Sequence, residues 1–223
     1  MIVIPARNEG PRIAAVIRAV RSACPGIEVL VVVNGCSDDT AAIAGEAGAT
    51  VIESEPGYGT ALLAGYRYAA DRAHLPWLVQ LDADGQHPAE AIPGLVAALA
   101  GADVVVGSRF AKGGSAPGWP LHRRWTVRAM GNITRWLSGL QILDVSSGFQ
   151  AFRPEVVAAL CGEFDPLLTD ANVLVRLSRK GFKVEEVGVS MAKRSGGKSM
   201  HGGIRSAVYA GKTLMAVGQE IRG

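Results

Sequence analysis

A pair of aspartates separated by one residue is the strongest candidate for chemistry in this sequence. Asp82 and Asp84 follow the apolar run 77–81, which predicts a short buried strand ending at the two carboxylates. Because strand side chains alternate between faces, we expect both carboxylates to leave the strand end on the same side. With the amide of Gln86 they offer hard oxygen ligands for a divalent cation that also holds phosphates. The alternative is an acidic turn without a ligand. Motifs elsewhere in the chain are needed to distinguish the two.

The first half of the chain predicts strands that alternate with helices. Apolar runs predict the strands, and apolar residues at helical spacing predict the crossover helices between them. The predicted strands are 2–4, 29–33, 50–53, 77–81 and 103–106, and the predicted helices are 11–23, a segment ending at 47, 60–72 and 88–100. Continuous apolar strands joined by helices indicate an α/β fold, with a mostly parallel sheet covered by helices on both faces.

Three polar clusters, at residues 5–9, 34–40 and 82–87, each follow a predicted strand. Ligands of such sheets bind at the carboxyl ends of the strands, near a topological switch point. We therefore expect the three clusters to meet at one edge of the sheet.

The pattern changes after residue 107. Residues 111–120 predict a loop rich in glycine and proline, and residues 123–138 predict a basic amphipathic helix. The remaining predicted elements are a strand-like end to segment 144–152, a helix at 166–180, a strand at 183–189, a basic glycine-rich loop at 193–203 and a last helix at 204–222. We find no repeat or linker that divides the chain, so we predict one domain over residues 1–223.

Composition excludes several classes of protein. The 223 residues are 48% hydrophobic and carry a net charge of +3, which is too mild to indicate a nucleic-acid partner. The three cysteines have no metal-like spacing and fit a reducing cytoplasm. No uncharged apolar window is long enough to span a bilayer, and Met1 runs directly into a strand pattern, so we expect no signal peptide.

Seven short motifs follow one another along nearly the whole chain, at residues 2–9, 33–40, 57–65, 82–87, 107–109, 144–149 and 194–199. Each alone is a weak signal. In this order they resemble glycosyltransferase family 2, and within it the dolichol- or polyprenyl-phosphate mannosyltransferase-like branch. The resemblance implies a GT-A fold, whose Rossmann-like, mostly parallel sheet binds a nucleotide.

The resemblance also implies an activity. It is that of an inverting transferase moving one hexose from a nucleotide-diphospho-sugar, of the GDP-mannose or UDP-glucose type, to polyprenyl phosphate. Mg²⁺ or Mn²⁺ would stabilise the leaving diphosphate. Residues 1–107 would then hold the nucleotide sugar and metal, residues 108–203 would form the acceptor and lid half, and residues 204–223 would form an amphipathic helix.

Site residues follow from the same motifs. Asp84 and Gln86 are the expected metal ligands, and Asp82 is expected to contact metal or ribose. The expected catalytic residues are Asp84, Asp170, Arg109 and Arg194, the last two as guanidinium forks on phosphate oxygens. The expected nucleotide-binding residues are Pro5, Arg7, Glu9, Asn34 and Asp82, with Arg124 and Lys198 as further basic candidates.

The acceptor and the role of Asp170 stay open. A hydroxyl acceptor needs a general base, whereas a lipid phosphate is already an anion near pH 7. Asp170 is either that base or a helix cap. The family often has a carboxylate where this chain has Val33 or Asn34, and commonly has lysine where this chain has Tyr58. The first of these departures leaves open the alternative of a nucleotide-sugar-binding protein with low turnover.

Basic segments 123–135 and 193–198 suit an anionic acceptor. Many relatives end in a membrane-spanning tail that this sequence lacks, so we expect a cytoplasmic protein with peripheral contact at the inner membrane face. The last helix, 204–222, is the predicted contact, either with lipid or with a small membrane protein. Packing of that helix on its own domain or in a dimer is the alternative.

Overall fold

The computed structural model describes residues 1–72, 75–163, 166, 169, 171–192, 215 and 218. Within these ranges the strands are β1 Ile2–Ala6, β2 Val29–Asn34, β3 Thr50–Ser54, β4 Leu78–Gln80, β5 Val104–Ser108, β6 Gln150–Phe152 and β7 Val184–Gly188. The α-helices are α1 Gly10–Ala23, α2 Thr40–Glu46, α3 Tyr58–Ala70, α4 Ile92–Ala98, α5 Leu121–Ser138, α6 Pro154–Glu163 and α7 Ala171–Arg179.

The strands form one mostly parallel sheet in the order β3-β2-β1-β4-β6-β5-β7. Only β6 runs antiparallel to its neighbours, β4 and β5. The chain leaves β1 toward β2 on one side and later returns to β4 on the other, which makes the β1/β4 pair a topological switch point. Because β6 is reversed, the residues that precede it lie at the same edge as the carboxyl ends of β4 and β5.

Helices cover both faces of the sheet, as the sequence predicts. One core contains Val3, Leu30 and Phe152 with side chains of α3, α6 and α7. The other contains Ile4 and Phe149 with side chains of α1 and α4. Neighbouring strand residues alternate between the two cores because strand side chains alternate between faces.

Three details differ from the sequence prediction. Strand β4 ends at Gln80, so the aspartates lie in the turn that follows and strand alternation does not orient them. The predicted helix at 88–100 begins as a 3₁₀ turn, Ala89–Ala91, before α4. Helix α6 was not predicted, although Pro154 at its first position and Glu155 in its first turn are typical of a helix start.

Several sequence predictions fall outside the described residues. They are Asp170, Arg194, Lys198, the basic loop 193–203 and the last helix, of which only Met215 and Gly218 are described. Among the helices of the described ranges, none combines the length and hydropathy needed to cross a bilayer.

Candidate active site

The acidic turn after β4 is held by its own backbone. The N–H of Gln86 donates a hydrogen bond to Oδ1 of Asp84 at 3.0 Å. Gly85 sits between them at φ +75°, a left-handed conformation that glycine adopts without steric cost. Asp84 is buried to 8% exposure, whereas about a third of the Asp82 side chain is exposed. The turn therefore presents one buried and one accessible carboxylate.

His87 fixes the main chain of this turn. Its Nδ1 accepts a hydrogen bond from the Asp82 N–H at 3.0 Å, and its ring stacks on Phe149 with the centroids 5.1 Å apart. Burial lowers the pKa of His87, and the charges of Asp82 and Asp84 offset this only in part. A neutral ring with Nδ1 as acceptor agrees with both observations. His87 therefore positions the turn, with Nδ1 already engaged by the main chain.

The side chain of Asp82 is held by a phenol. The Tyr58 hydroxyl donates to Oδ1 of Asp82 at 3.0 Å, and His87 Nε2 lies 3.8 Å from Oδ2. Gly148 makes room for this pair, because a Cβ there would lie 2.9 Å from the Tyr58 oxygen and 3.3 Å from Oδ1 of Asp82. Tyr58, at the position where the family often has lysine, thus supplies a neutral donor to the exposed carboxylate.

Hydrogen bonds join the first two polar clusters. The N–H of Glu9 donates to the Thr40 hydroxyl at 2.9 Å, and the N–H of Gly10 donates to Asp38 at 3.1 Å. Partial burial acts to raise the pKa of Asp38, but hydrogen bonds from Thr40 and Gly10 outweigh it and bring the pKa below its usual value. Arg12 closes the group by pairing with the Glu9 carboxylate at 2.5 Å.

Asn34 connects these clusters to the Tyr58 region. Its amide nitrogen donates to the carbonyl of Ala6 at 3.2 Å, and Gly57 N–H makes a long contact of 3.5 Å to its amide oxygen. Tyr58, next to Gly57, continues the connection to Asp82. The prediction that the three clusters meet at one edge is therefore confirmed.

Arg109 lies in a buried ion pair. Its Nε and Nη2 each bond an oxygen of Asp144 at 2.6 Å, and its own backbone N–H adds a bond of 2.9 Å. Asp144 is fully buried and Arg109 is 8% exposed. Two of the guanidinium nitrogens are thus engaged by Asp144, and Ser146 accepts a further bond from Nη2 at 3.0 Å. The sequence predicted that the Arg109 guanidinium would bind phosphate oxygens, but Asp144 and Ser146 engage its Nε and Nη2 within the protein.

The face of Arg109 is covered by Trp119. The guanidinium carbon of Arg109 lies 4.2 Å from the indole centroid, and that of Arg123, in the first turn of α5, lies 3.9 Å from it. A guanidinium group over an indole ring makes a favourable cation–π contact, and Trp119 makes two of them. Helix α5 is thereby attached to the Arg109–Asp144 pair.

Gln86 links the acidic turn to the chain after β7. The side-chain amide of Gln86 donates to the carbonyl of Ala192 at 3.1 Å, and the Ala192 N–H donates to the backbone carbonyl of Gln86 at 2.9 Å. The predicted basic loop begins directly after Ala192. As a metal ligand, Gln86 would use its amide oxygen.

The remaining predicted residues lie in different settings. Pro5 is buried in β1, beyond the point where β4 pairing stops, so its missing N–H breaks no ladder bond to β4. Arg7 is exposed after β1, and Arg124 is exposed on α5. Trp119 and Asp144 both contact Arg109; the 144–149 motif indicated Asp144, whereas nothing in the sequence indicated Trp119.

The acidic turn fits a hard divalent cation. Its donors are two carboxylates, and Mg²⁺ typically takes one or two carboxylates together with substrate phosphates and water. Within the described part of the chain, no group of three or more His, Cys, Asp or Glu side chains is arranged as a metal cluster. Asp82 and Asp84 offer such carboxylate donors, with Gln86 adjoining them.

Comparison with known proteins identifies relatives over most of the chain. The family model for glycosyl transferase family 2 matches residues 1–160. A polyprenol monophosphomannose synthase of Mycolicibacterium smegmatis is 31% identical, across 94% of this chain and 84% of that protein. An undecaprenyl-phosphate mannosyltransferase of Micrococcus luteus is also 31% identical, across 92% of this chain and 88% of that protein.

Solved structures share the fold. The glucosyl-3-phosphoglycerate synthase of Mycobacterium tuberculosis, in complex with Mn²⁺, UDP and phosphoglyceric acid, superposes with a TM-score of 0.76. The alignment covers 99% of this chain and 77% of that one at 21% identity. The predicted GT-A architecture is therefore confirmed.

Proposed function

This chain belongs to glycosyltransferase family 2 and is a glycosyltransferase, and we propose that it transfers one hexose from a nucleotide-diphospho-sugar to polyprenyl phosphate. The observation that carries the proposal is the acidic turn at the β1/β4 switch point, with each carboxylate held by its own partner. The activities for which the two bacterial relatives are named support a lipid-phosphate acceptor. GDP-mannose and UDP-glucose are the donor types to test first.

In the proposed site, Asp84 and Asp82 hold Mg²⁺ or Mn²⁺, in agreement with the Mn²⁺ named in the structural relative's complex. When bound, the ion stabilises the negative charge that grows on the leaving diphosphate. The protein fixes both carboxylates beforehand, through Tyr58 for Asp82 and through the Gln86 N–H for Asp84. Such preorganised groups stabilise developing charge without reorganising during the reaction.

The acceptor side of the proposal needs no general base. A phosphate monoester is an anion near pH 7 and attacks the anomeric carbon directly, so a single displacement inverts that centre. The Arg109–Asp144 pair would act by holding the segments around the acceptor in place, and Asp170 would be dispensable. With an alcohol as acceptor, Asp170 would become essential. The proposed place of action is the cytoplasmic face of the membrane, where a nucleotide sugar and a lipid phosphate meet.

A thermal-shift panel tests the donor half. GDP-mannose, UDP-glucose, UDP-GlcNAc and the free nucleotides are each added with and without Mn²⁺. A ligand that binds only the native state raises the melting temperature with its concentration over Kd. We expect a Mn²⁺-dependent shift with one nucleotide series. A shift that ignores Mn²⁺, or none with any donor, would contradict the proposal.

A substitution tests the metal site. Asp84→Asn should lower transfer by roughly 10²-fold or more, because it removes a preorganised charge at the leaving group. Asp71→Asn is the matched control, since Asp71 is exposed at the C-terminal end of α3 and outside the three polar clusters. Full activity of Asp84→Asn would remove the acidic turn from the mechanism.

A further inference from the structure

The outward face of α5 is the most apolar surface of the described residues. Six large apolar side chains are exposed in the described part of the chain, and five of them lie on this helix. Those five are Leu121, Trp125, Ile133, Trp136 and Leu137. The indoles of Trp125 and Trp136 are 73% and 83% exposed, respectively. A concentrated apolar patch on an otherwise polar surface marks a place of interaction.

Helical geometry sorts this face into two stripes. Trp125 and Trp136 are eleven residues apart, which is three turns, so both indoles leave the same side of the helix. Arg124, Arg128 and Arg135, four and seven residues apart, run beside them as a basic stripe. The helix contains no Asp or Glu, so its charge is purely positive.

The opposite face of α5 is firmly packed. Met130, Gly131 and Thr134 are buried. Gly131 lies against the backbone of Leu143, where an added Cβ would be 2.2 Å from the carbonyl oxygen. Leu143 immediately precedes Asp144, so the inner face of the helix is joined to the Arg109–Asp144 pair. The outward tryptophans take no part in this packing and are available to a partner.

We propose that α5 is a membrane-docking helix, lying in the plane of an anionic bilayer with Trp125 and Trp136 inserted at the headgroup level. Indole rings prefer this depth because one edge is apolar and the N–H stays hydrated. The arginine stripe favours lipid, because anionic headgroups complement it, whereas a second copy of the chain would bring another positive α5 against it. Arginine stems also cover apolar surface while the guanidinium stays in water.

The docking helix adds a membrane contact to the proposed function. Its role in turnover rests on that proposed function. A lipid-phosphate acceptor carries its reactive group at the headgroup level. Helix α5 would hold the Asp144 segment, and with it the acceptor side of the site, at that depth. The proposal thus adds a membrane contact on a helix before residue 140; the contact expected of segment 204–222 lies outside the described residues and stays a prediction.

Vesicle co-sedimentation of the full chain tests the contact. We compare vesicles of phosphatidylcholine alone with vesicles containing phosphatidylglycerol, at low and high salt. The wild type should bind the anionic vesicles and be released by salt, since exposed charges are screened. Its tryptophan emission should shift to the blue on binding. Equal binding to both vesicles, or none to either, would overturn the proposal.

Paired variants identify the surface. Trp125→Ala/Trp136→Ala should lower vesicle affinity by about tenfold or more, because two indoles no longer leave water. Arg128→Gln/Arg135→Gln should lower it by roughly 25-fold, about fivefold per arginine. The matched control for charge, Arg18→Gln/Arg67→Gln, removes the same charge from exposed sites on α1 and α3 and should bind like wild type.

Two further readouts separate the possible failures. All variants should keep the wild-type melting temperature, because the replaced side chains are exposed. With a short-chain, water-soluble prenyl phosphate as acceptor, the tryptophan variant should turn over like wild type; with a long-chain acceptor in vesicles it should lose at least tenfold. Intact vesicle binding without any turnover would refute the proposed function alone. Unchanged vesicle binding of the tryptophan variant, or a dimer that the variant abolishes, would refute the docking helix.

Discussion

The buried pair between Arg109 and Asp144 gives the sharpest stability prediction. Asp144 has no exposed surface and accepts three N–H bonds from Arg109. Asp144→Ala removes all three and leaves a guanidinium buried beside Trp119 without its counter-charge. The replacement therefore tests whether this pair holds the β5 end and the 144–149 segment together.

The expected loss follows from the burial. Removing one partner of a buried ion pair costs about 3–5 kcal/mol, since the remaining charge stays desolvated and unpaired. For a domain of this size, each kcal/mol lowers the melting temperature by about 2–4 °C. The variant should thus melt about 6–20 °C below wild type. The double variant Arg109→Leu/Asp144→Leu should lose less than the single one, because no charge is left buried.

Urea unfolding and thermal melting, followed by circular dichroism, measure the loss. Glu185→Gln is the matched control: the Lys183–Glu185 pair is 2.7 Å long, but the two side chains are 62% and 44% exposed. Exposed pairs contribute about 0–1 kcal/mol, so this control should melt within a few degrees of wild type. If Asp144→Ala and Glu185→Gln were equally mild, the structural role of the buried pair would be wrong.

Three further predictions concern the site and its supports. Tyr58→Phe should lower metal-dependent activity by about 10–100-fold in transfer assays, because Asp82 loses its orienting donor. Gly131→Ala should destabilise the fold by about 1–3 kcal/mol in urea, because its Cβ would meet the Leu143 carbonyl. Asp38→Asn should lower the melting temperature at pH 7, and the difference should shrink as the pH falls: hydrogen bonds from Thr40 and Gly10 depress the folded pKa, so the stability they add is present above the unfolded pKa and is lost as pH falls through the folded one.

Each of these has a matched comparison. Tyr68→Phe also removes a phenol, one that donates to exposed Glu28 at 3.2 Å, and should leave activity unchanged. Gly94→Ala places a Cβ in open space on α4 and should stabilise by about 0.5–1 kcal/mol. Equal effects within either pair would contradict the contact assigned. For Asp38, a melting difference that persists unchanged at low pH would show that charge is not the cause.

Much of the fold was readable from the sequence because its strands are continuous apolar runs. Such runs occur where a parallel sheet is covered on both faces, and helical spacing between them predicts the crossovers. Helix α6 is not predicted from the sequence because its apolar residues form a continuous run, Val156 to Leu160, without a clear helical stripe. The predicted β4 ends one residue too late, since an apolar Leu81 continues the run and its N–H still donates to the Val3 carbonyl at 3.1 Å after the last strand residue, Gln80.

The site was only partly readable. The acidic motif located Asp82 and Asp84, because a strand followed by Asp-x-Asp and glycine is a local pattern. Their partners were not readable, since Tyr58 comes from a helix start and Trp119 from a loop that only the fold brings close. The free phosphate role expected of Arg109 also rested on a motif, and a motif does not reveal that a carboxylate 35 residues away occupies the fork.

The most direct test of the proposed hexose transfer is formation of the glycolipid product. The purified chain is incubated with Mn²⁺, polyprenyl phosphate in anionic vesicles, and radiolabelled GDP-mannose or UDP-glucose, and the organic phase is extracted and analysed by mass spectrometry. We expect a polyprenyl phosphohexose that forms only with metal and is nearly lost in Asp84→Asn. Transfer to a soluble alcohol acceptor with no glycolipid, or glycolipid formed equally well by Asp84→Asn, would contradict the proposed transfer.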